Sequence, residues 1–269
     1  MGGGDGLAAA LLDLQELAER LRRDCPWDRA QTARTIVPHT VEEAYEVADA
    51  ALADNDAKLL DELGDLLFQT FFLALTLEEK GMGDLEEVVR STHDKLVRRH
   101  PHVFSSPGEL RSPGDVKERW ESLKATQEGR EGIFHDLPEA LPGLLYAKKV
   151  QRRAATVGFD YPDARRALRD LGDELAELRQ ELGSEDPPPE TEPDPRQEAE
   201  LGDVLFACVN VARRLNVDPE LALRQATGRF VARVERAEEL ASAEGKAFAE
   251  LELAEQDRYF DRAKEEETA

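Results

Sequence analysis

One seven-residue word occurs twice in this chain. Glu62-Leu63-Gly64-Asp65-Leu66-Leu67-Phe68 returns half a chain later as Glu200-Leu201-Gly202-Asp203-Val204-Leu205-Phe206. Repetition of that length signals duplicated structural units and outranks other sequence signals. Each copy is preceded by a second acidic pair at the same i, i+3 spacing: Glu43 with Glu46 in the first half, Glu174 with Glu177 in the second. Residues three apart share one face of a helix, so each pair sets two carboxylates side by side. Two such helices face to face would gather four carboxylates around one point. That is a donor set for a hard divalent cation, Mg²⁺ first and Mn²⁺ as the alternative.

The 269 residues suffice for two domains of ordinary size. Hydrophobic residues make up 41% of the chain, enough for a core; 35% charged with only 6% aromatic favours helices with solvated faces. Ala, Leu, Glu and Arg dominate, and no stretch reads as a strand, so the expected class is all-α. A net charge of −23 argues against duplex nucleic acid, whose phosphates are met by Lys and Arg. An anionic small molecule stays compatible, because a bound metal inverts the local sign. The two cysteines, Cys25 and Cys208, have no C-x-x-C partner and read as free thiols of a reducing compartment. With no signal-peptide pattern and no apolar run long enough to span a bilayer, the expectation is a cytoplasmic protein without membrane contact.

Taken in order, Leu7–Arg23 is an amphipathic helix that Cys25-Pro26-Trp27-Asp28 should stop. Thr32 or Thr35 can cap the next helix, which is expected to break near Pro38 and restart at Thr40, three residues before Glu43. A helix from Asp56 to Lys80 carries Glu62 and Asp65 and closes at Gly81. Another runs from Asp84 to Arg99 and stops at His100-Pro101-His102. Residues 7–104 thus form a first four-helix unit, with 105–140 a linker holding one helix over 115–127. The second unit, 141–269, repeats the order: helices over 141–157, 163–182, 197–215, 218–244 and 247–266. Its Pro-rich insert at 183–196 is read as disordered and accounts for the longer spacing between the second pair of acidic helices.

A lone acidic pair in so acidic a chain is ordinarily a solvated face. Here the pairs border apolar residues, where unpaired carboxylates are costly, and each carries a mid-helix glycine, Gly64 or Gly202. Such a glycine costs about 1 kcal/mol against Ala, tolerable where a helix or ligand approaches closely. Lys95, Arg98 and Arg99 share a face of the helix after the first acidic pair of helices, and Arg229, Arg233 and Arg236 share one in the second unit. Both sets suit phosphate, although balancing the acids explains any single member equally well. Trp27 is either a buried turn residue or a platform for a base. His100-Pro101-His102 lacks the partners of a zinc site, and the absence of Glu-x-x-His disfavours redox iron.

Glu43-Ala44-Tyr45-Glu46 and Glu62-Leu63-Gly64-Asp65 resemble the E-x-x-E…E-x-x-D signature of the MazG family. So do Cys25-Pro26-Trp27-Asp28-Arg29-Ala30-Gln31-Thr32 and Lys95-Leu96-Val97-Arg98-Arg99-His100-Pro101-His102-Val103-Phe104. From Lys148 through Val157-Gly158-Phe159-Asp160 to Arg236, the chain is similar to the second domain of two-domain MazG proteins. The resemblance implies two tandem MazG-like helical bundles, a homodimer, and Mg²⁺-dependent hydrolysis of a nucleoside triphosphate to the monophosphate and pyrophosphate. By position it assigns Glu43, Glu46, Glu62 and Asp65 to one metal site and Glu174, Glu177, Glu200 and Asp203 to the other. It gives Lys95, Arg98, Arg229 and Arg233 to the triphosphate. Phe260 stands where the family tends to have a Trp at the base, and Gly172-Asp173 also depart from its pattern. Glu43 or Glu174 is the candidate to activate water. The alternative is a regulatory module that binds nucleotides without turnover, which would more plausibly have lost a ligand; a pure scaffold leaves the repeated acids unexplained.

Overall fold

Short polar residues decide where most of these helices begin. The computed structural model describes residues 3–104, 132–134, 137–138, 140–183, 192 and 194–268. In the first unit the helices are α1 (Gly3–Asp24), α2 (Pro26–Ala30), α3 (Ala33–Leu52), α4 (Asp56–Glu78), α5 (Leu85–Arg99) and α6 (Pro101–Phe104). In the second they are α7 (Gly143–Ala155), α8 (Ala164–Glu181), α9 (Pro195–Arg214), α10 (Pro219–Ala243), a 3₁₀ turn (Phe248–Glu250) and α11 (Leu253–Thr268). No strand occurs among the described residues, and no helix among them is long and apolar enough to cross a membrane. The fold is all-α.

Side-chain oxygens of Asn55, Asp84, Asp163, Asp194 and Asp218 accept from the first free N–H groups of α4, α5, α8, α9 and α10. Thr32 and Thr35 close a reciprocal capping box at the start of α3. Gly81, at φ +63°, ends the α4 region where a left-handed residue is needed.

Several expectations need correction, three of them about proline. α3 is continuous through Pro38 and does not restart at Thr40. The bond that Pro38 forfeits leaves the carbonyl of Arg34, an exposed residue near the helix start, to water. Cys25–Asp28 is not merely a stop: Pro26 opens the short helix α2, since its missing N–H is redundant in a first turn. For the same reason α9 begins at Pro195, inside the stretch read as disordered. The last helix is split, with Phe248–Glu250 a separate turn before α11. The helix expected over 115–127, most of the 105–140 linker and most of the Pro-rich insert lie outside the described residues.

The chain divides into two compact units, Met1–Lys124 and Ala125–Ala269. In the first, α3 packs along α4, and α1 and α5 also lie against α4. Ala18, Ile36, Ala50, Phe71, Phe72 and Ala74 are its buried apolar residues. Arg22 ties this unit together. Its guanidinium donates to the Asp28 and Gln31 carbonyls and forks onto Glu79 at 2.7 and 2.8 Å, joining α1, α2 and α4. In the second unit α8 packs along α9, α7 crosses α9 and α10, and α11 folds back on α10. Ala237, Leu240, Ala241, Tyr259 and Ala263 form a core there. Lys148 on α7 pairs with Asp218 at 2.5 Å, so the residue that caps α10 also anchors it.

Candidate metal centres

The turn at 53–55 folds α4 back along α3, which brings the two acidic pairs of the first unit to one level. Carboxylate oxygens of Glu43, Glu62 and Asp65 lie within 4.8 Å of one another. Glu62 is buried, Glu43 half-buried and Asp65 exposed. The fourth expected ligand, Glu46, falls outside that triplet but reaches the Glu62 carboxyl. Burial pushes the Glu62 carboxyl up, Glu46 pushes it further, and Lys58, whose Nζ is 3.6 Å from Glu62, partly opposes them. Glu43 is raised for the same reasons, burial first and then the charges of Asp65, Glu46 and Glu62.

The second unit repeats the arrangement with a different triplet. Oxygens of Glu174, Glu177 and Glu200 lie within 4.8 Å of one another, and Asp203 is the member left outside. The Glu174 carboxyl is raised by burial, then by the charges of Glu177, Asp203, Asp170 and Glu200. All eight residues predicted as ligands therefore stand in two clusters, three closely gathered in each and the fourth at its edge. Carboxylates that crowd one another with so few cations are a poor arrangement for the protein alone. As a set of hard oxygen donors they fit a hard divalent cation.

The other predicted residues are more scattered in role. Lys95 is half-buried and Arg98 exposed on α5, and neither forms an ion pair among the described residues. Arg229 is exposed on α10, whereas Arg233 is engaged by Glu267 at 2.7 Å. Phe260 packs against the α10–α11 core and meets the Phe230 ring at 5.7 Å. Trp27 is exposed and stands edge-on to His39 at 5.9 Å, so it is not the buried turn residue that one reading supposed. Gly64 and Gly202 have open space: a Cβ added at either would meet nothing within 4 Å, so no helix of the same unit approaches them.

The sequence reading missed Lys58, although its place one turn before Glu62 was a usable signal. It also missed Tyr161 and Asp170. Tyr161 donates its hydroxyl proton to Asp170, one turn before Glu174, and its pKa is pushed up to about 12 by burial and by that acid. Nothing in the spacing of 161 and 170 announces this pair; it depends on how the 156–163 loop settles on α8.

Residues 31–104 match the MazG nucleotide pyrophosphohydrolase domain. Over 94% of its length the chain is 38% identical to a Thermotoga maritima protein described as nucleoside triphosphate pyrophosphohydrolase/pyrophosphatase MazG, covering 94% of that protein. It is 36% identical to an Escherichia coli nucleoside triphosphate pyrophosphohydrolase, over 94% of this chain and 97% of the other. A solved mazG-related structure from Thermotoga maritima shares 28% identity with a TM-score of 0.37, covering 42% of this chain and 97% of that one. With full-length relatives at this identity and the acid pairs in place on their helices, the chain belongs to the MazG family.

Proposed function

We propose that this protein hydrolyses nucleoside triphosphates to nucleoside monophosphate and pyrophosphate, with one Mg²⁺-dependent site in each of two domains, 7–104 and 141–269. The observation that carries the reading is the paired clustering of carboxylates, Glu43, Glu62 and Asp65 in one unit and Glu174, Glu177 and Glu200 in the other. The full-length relatives described as pyrophosphohydrolases support the reaction. Glu46 and Asp203 complete the two ligand sets.

The bond to break joins the α- and β-phosphates, and water attacks the α-phosphorus while pyrophosphate leaves. Mg²⁺ held by these carboxylates would supply positive charge to the leaving pyrophosphate and would make the attacking water easier to deprotonate. Glu43 and Glu174 are half-buried in their clusters, and as carboxylates that metal does not saturate they orient the attacking water and take its proton. Lys95 and Arg98 in the first unit, with Arg229 and Arg233 in the second, meet the phosphates; Arg233 must exchange Glu267 for substrate. Trp27 and Phe260 are the base contacts that the family pattern suggests. The protein works as a cytoplasmic homodimer that clears or regulates nucleotide pools. Exposed Leu63 and Leu67 recur as Leu201 and Leu205, offering each unit an apolar stripe for a second copy.

Pyrophosphate release from a panel of ribo- and deoxynucleoside triphosphates tests this, with and without chelator, in wild type, Glu62→Ala and Glu200→Ala. Chelation should abolish release, and each variant should lose its own unit's share. Reaction in ¹⁸O-water should place the label in the monophosphate. Label in the pyrophosphate would move the attack to the β-phosphorus, and no pyrophosphate from any nucleotide would overturn the enzyme reading.

A further inference from the structure

The second unit holds a cavity of about 460 Å³ whose wall includes Val150, Phe159, Tyr161, Phe206, Asn210 and Arg213. Its volume is that of an ordinary small-molecule site. One acidic helix, α9, forms part of its wall, and the lining residue Tyr161 ties it to the other, α8. On α9, Asp203, Phe206 and Asn210 follow one another at i, i+3, i+7, so the cavity begins about one turn beyond the acids on the same face. On α8, Tyr161 reaches Asp170, one turn before Glu174, and feels the Glu174 charge. The helices are neighbours, so both routes lead from the cluster to the cavity. From Asp203 to Asn210 the axial rise is about 10 Å, room for a sugar between a phosphate at the acids and a flat ring in the cavity.

The lining suits such a ring. Phe159 is 81% exposed at the cavity, an aromatic face left to solvent that no core requires. Asn210 is oriented by its neighbours. Arg213 donates to the Asn210 Oδ1 through Nε at 3.2 Å and through its terminal nitrogen at 2.5 Å, while Asp160 grips the same guanidinium. With Oδ1 occupied, the amide presents Nδ2, a donor.

We propose that this cavity is the base pocket of the second unit, with Phe159 stacking on the nucleobase and Asn210 Nδ2 donating to a ring carbonyl, so that keto bases are preferred over amino ones. The assignment rests on the nucleotide reading above and supplies its specificity. It differs from the family-suggested contact at Phe260, which is packed on α10.

The test uses the Glu62→Ala full-length chain, so that only the second unit turns over, and compares UTP with CTP, which differ at the carbonyl that Asn210 would read. Phe159→Ala should raise KM about tenfold for both nucleotides with kcat little changed, and Phe159→Trp should restore it. Asn210→Asp keeps the Arg213 partner but loses the donor, and should cut the UTP-to-CTP ratio of kcat/KM about tenfold. Phe159 lies at the surface, so its truncation leaves folding intact. In parallel, saturation-transfer NMR with the α,β-methylene analogues of both nucleotides reads binding without turnover. Base protons should receive saturation in the parent chain and lose it in Phe159→Ala. Unsaturated base protons, or KM and base preference untouched by the variants, would overturn the pocket. A parent chain that binds the analogue through its base yet releases no pyrophosphate would sink hydrolysis in this unit and leave the pocket standing.

Discussion

Single side chains in this protein tie several elements at once, and their removal should show it. Arg22 serves α1, α2 and α4 through a largely buried guanidinium. Lysine cannot reproduce the fork on Glu79 together with two carbonyl contacts. Arg22→Lys is expected to lower the stability of the first unit by about 2 kcal/mol, read as a shift in urea midpoint. Asp160 is the counterpart in the second unit. Hydrogen bonds from Arg213 hold its carboxyl below the ordinary aspartate value, outweighing desolvation, with the charges of Arg213 and Arg214 and the Tyr161 N–H helping. Its folded pKa being depressed, the unfolded chain binds the proton more readily. The contribution is therefore present above the unfolded value of about 3.9 and is lost as pH falls through the lower folded one. Urea midpoints of the second unit should fall below about pH 4, and Asp160→Asn should lower the neutral-pH midpoint while flattening that acid limb. A variant with the wild-type acid limb would assign the pH dependence to other carboxylates.

At the scale of elements, the helices and their caps were legible because periodicity and capping chemistry are local. Thr32, Asp84, Asp163 and Asp218 stand at the starts of their helices and signal in sequence what they do in space. The Asp194 cap, by contrast, was hidden in the Pro-rich stretch read as disordered, and Asn55 was read only as the end of the helix before it. Pro38 was misread because a local rule met a continuous helix: flanking turns hold α3 on both sides of one missing bond. The acid pairs were legible from spacing. Which three of each four converge was not, because Glu46 and Asp203 differ from their neighbours only in side-chain direction across a helix pair. The cavity was illegible for a similar reason, since residues from α7, a loop and α9 meet there without any shared spacing. The repeated glycines give this scale its own test. A Cβ at Gly202 meets open space, so Gly202→Ala should stabilise α9 by about 1 kcal/mol, seen as a raised urea midpoint. If substrate or a second copy passes close to that backbone, the same variant loses turnover as it gains stability. Equal turnover would mean the glycine serves neither.

Across the whole molecule, two units carry one design: a carboxylate cluster in which burial first, and then the charge of neighbouring acids, raises the carboxyls of Glu43 and Glu62 in one unit and of Glu174 in the other. Such a cluster opposes folding when empty and favours it when a divalent cation is bound, because a ligand that binds only the folded state stabilises it by mass action. The consequence is a change of sign. Glu174→Gln removes one charge from the second cluster. In chelator it should therefore unfold at a higher temperature than wild type, relieved of repulsion from Glu177, Glu200 and Asp203. In Mg²⁺ at about a hundred times the dissociation constant, wild type should gain about 2.7 kcal/mol per site. The variant, short of a ligand, should gain less in its second unit and fall below wild type there. Glu43→Gln should invert the first unit and leave the second unchanged, since each cluster is built wholly within its own unit. Calorimetry of the three chains with and without Mg²⁺ reads all of this. A variant less stable than wild type in both conditions would show that the carboxylate is held by protein contacts, and that the cluster is part of the scaffold rather than a place kept for a metal.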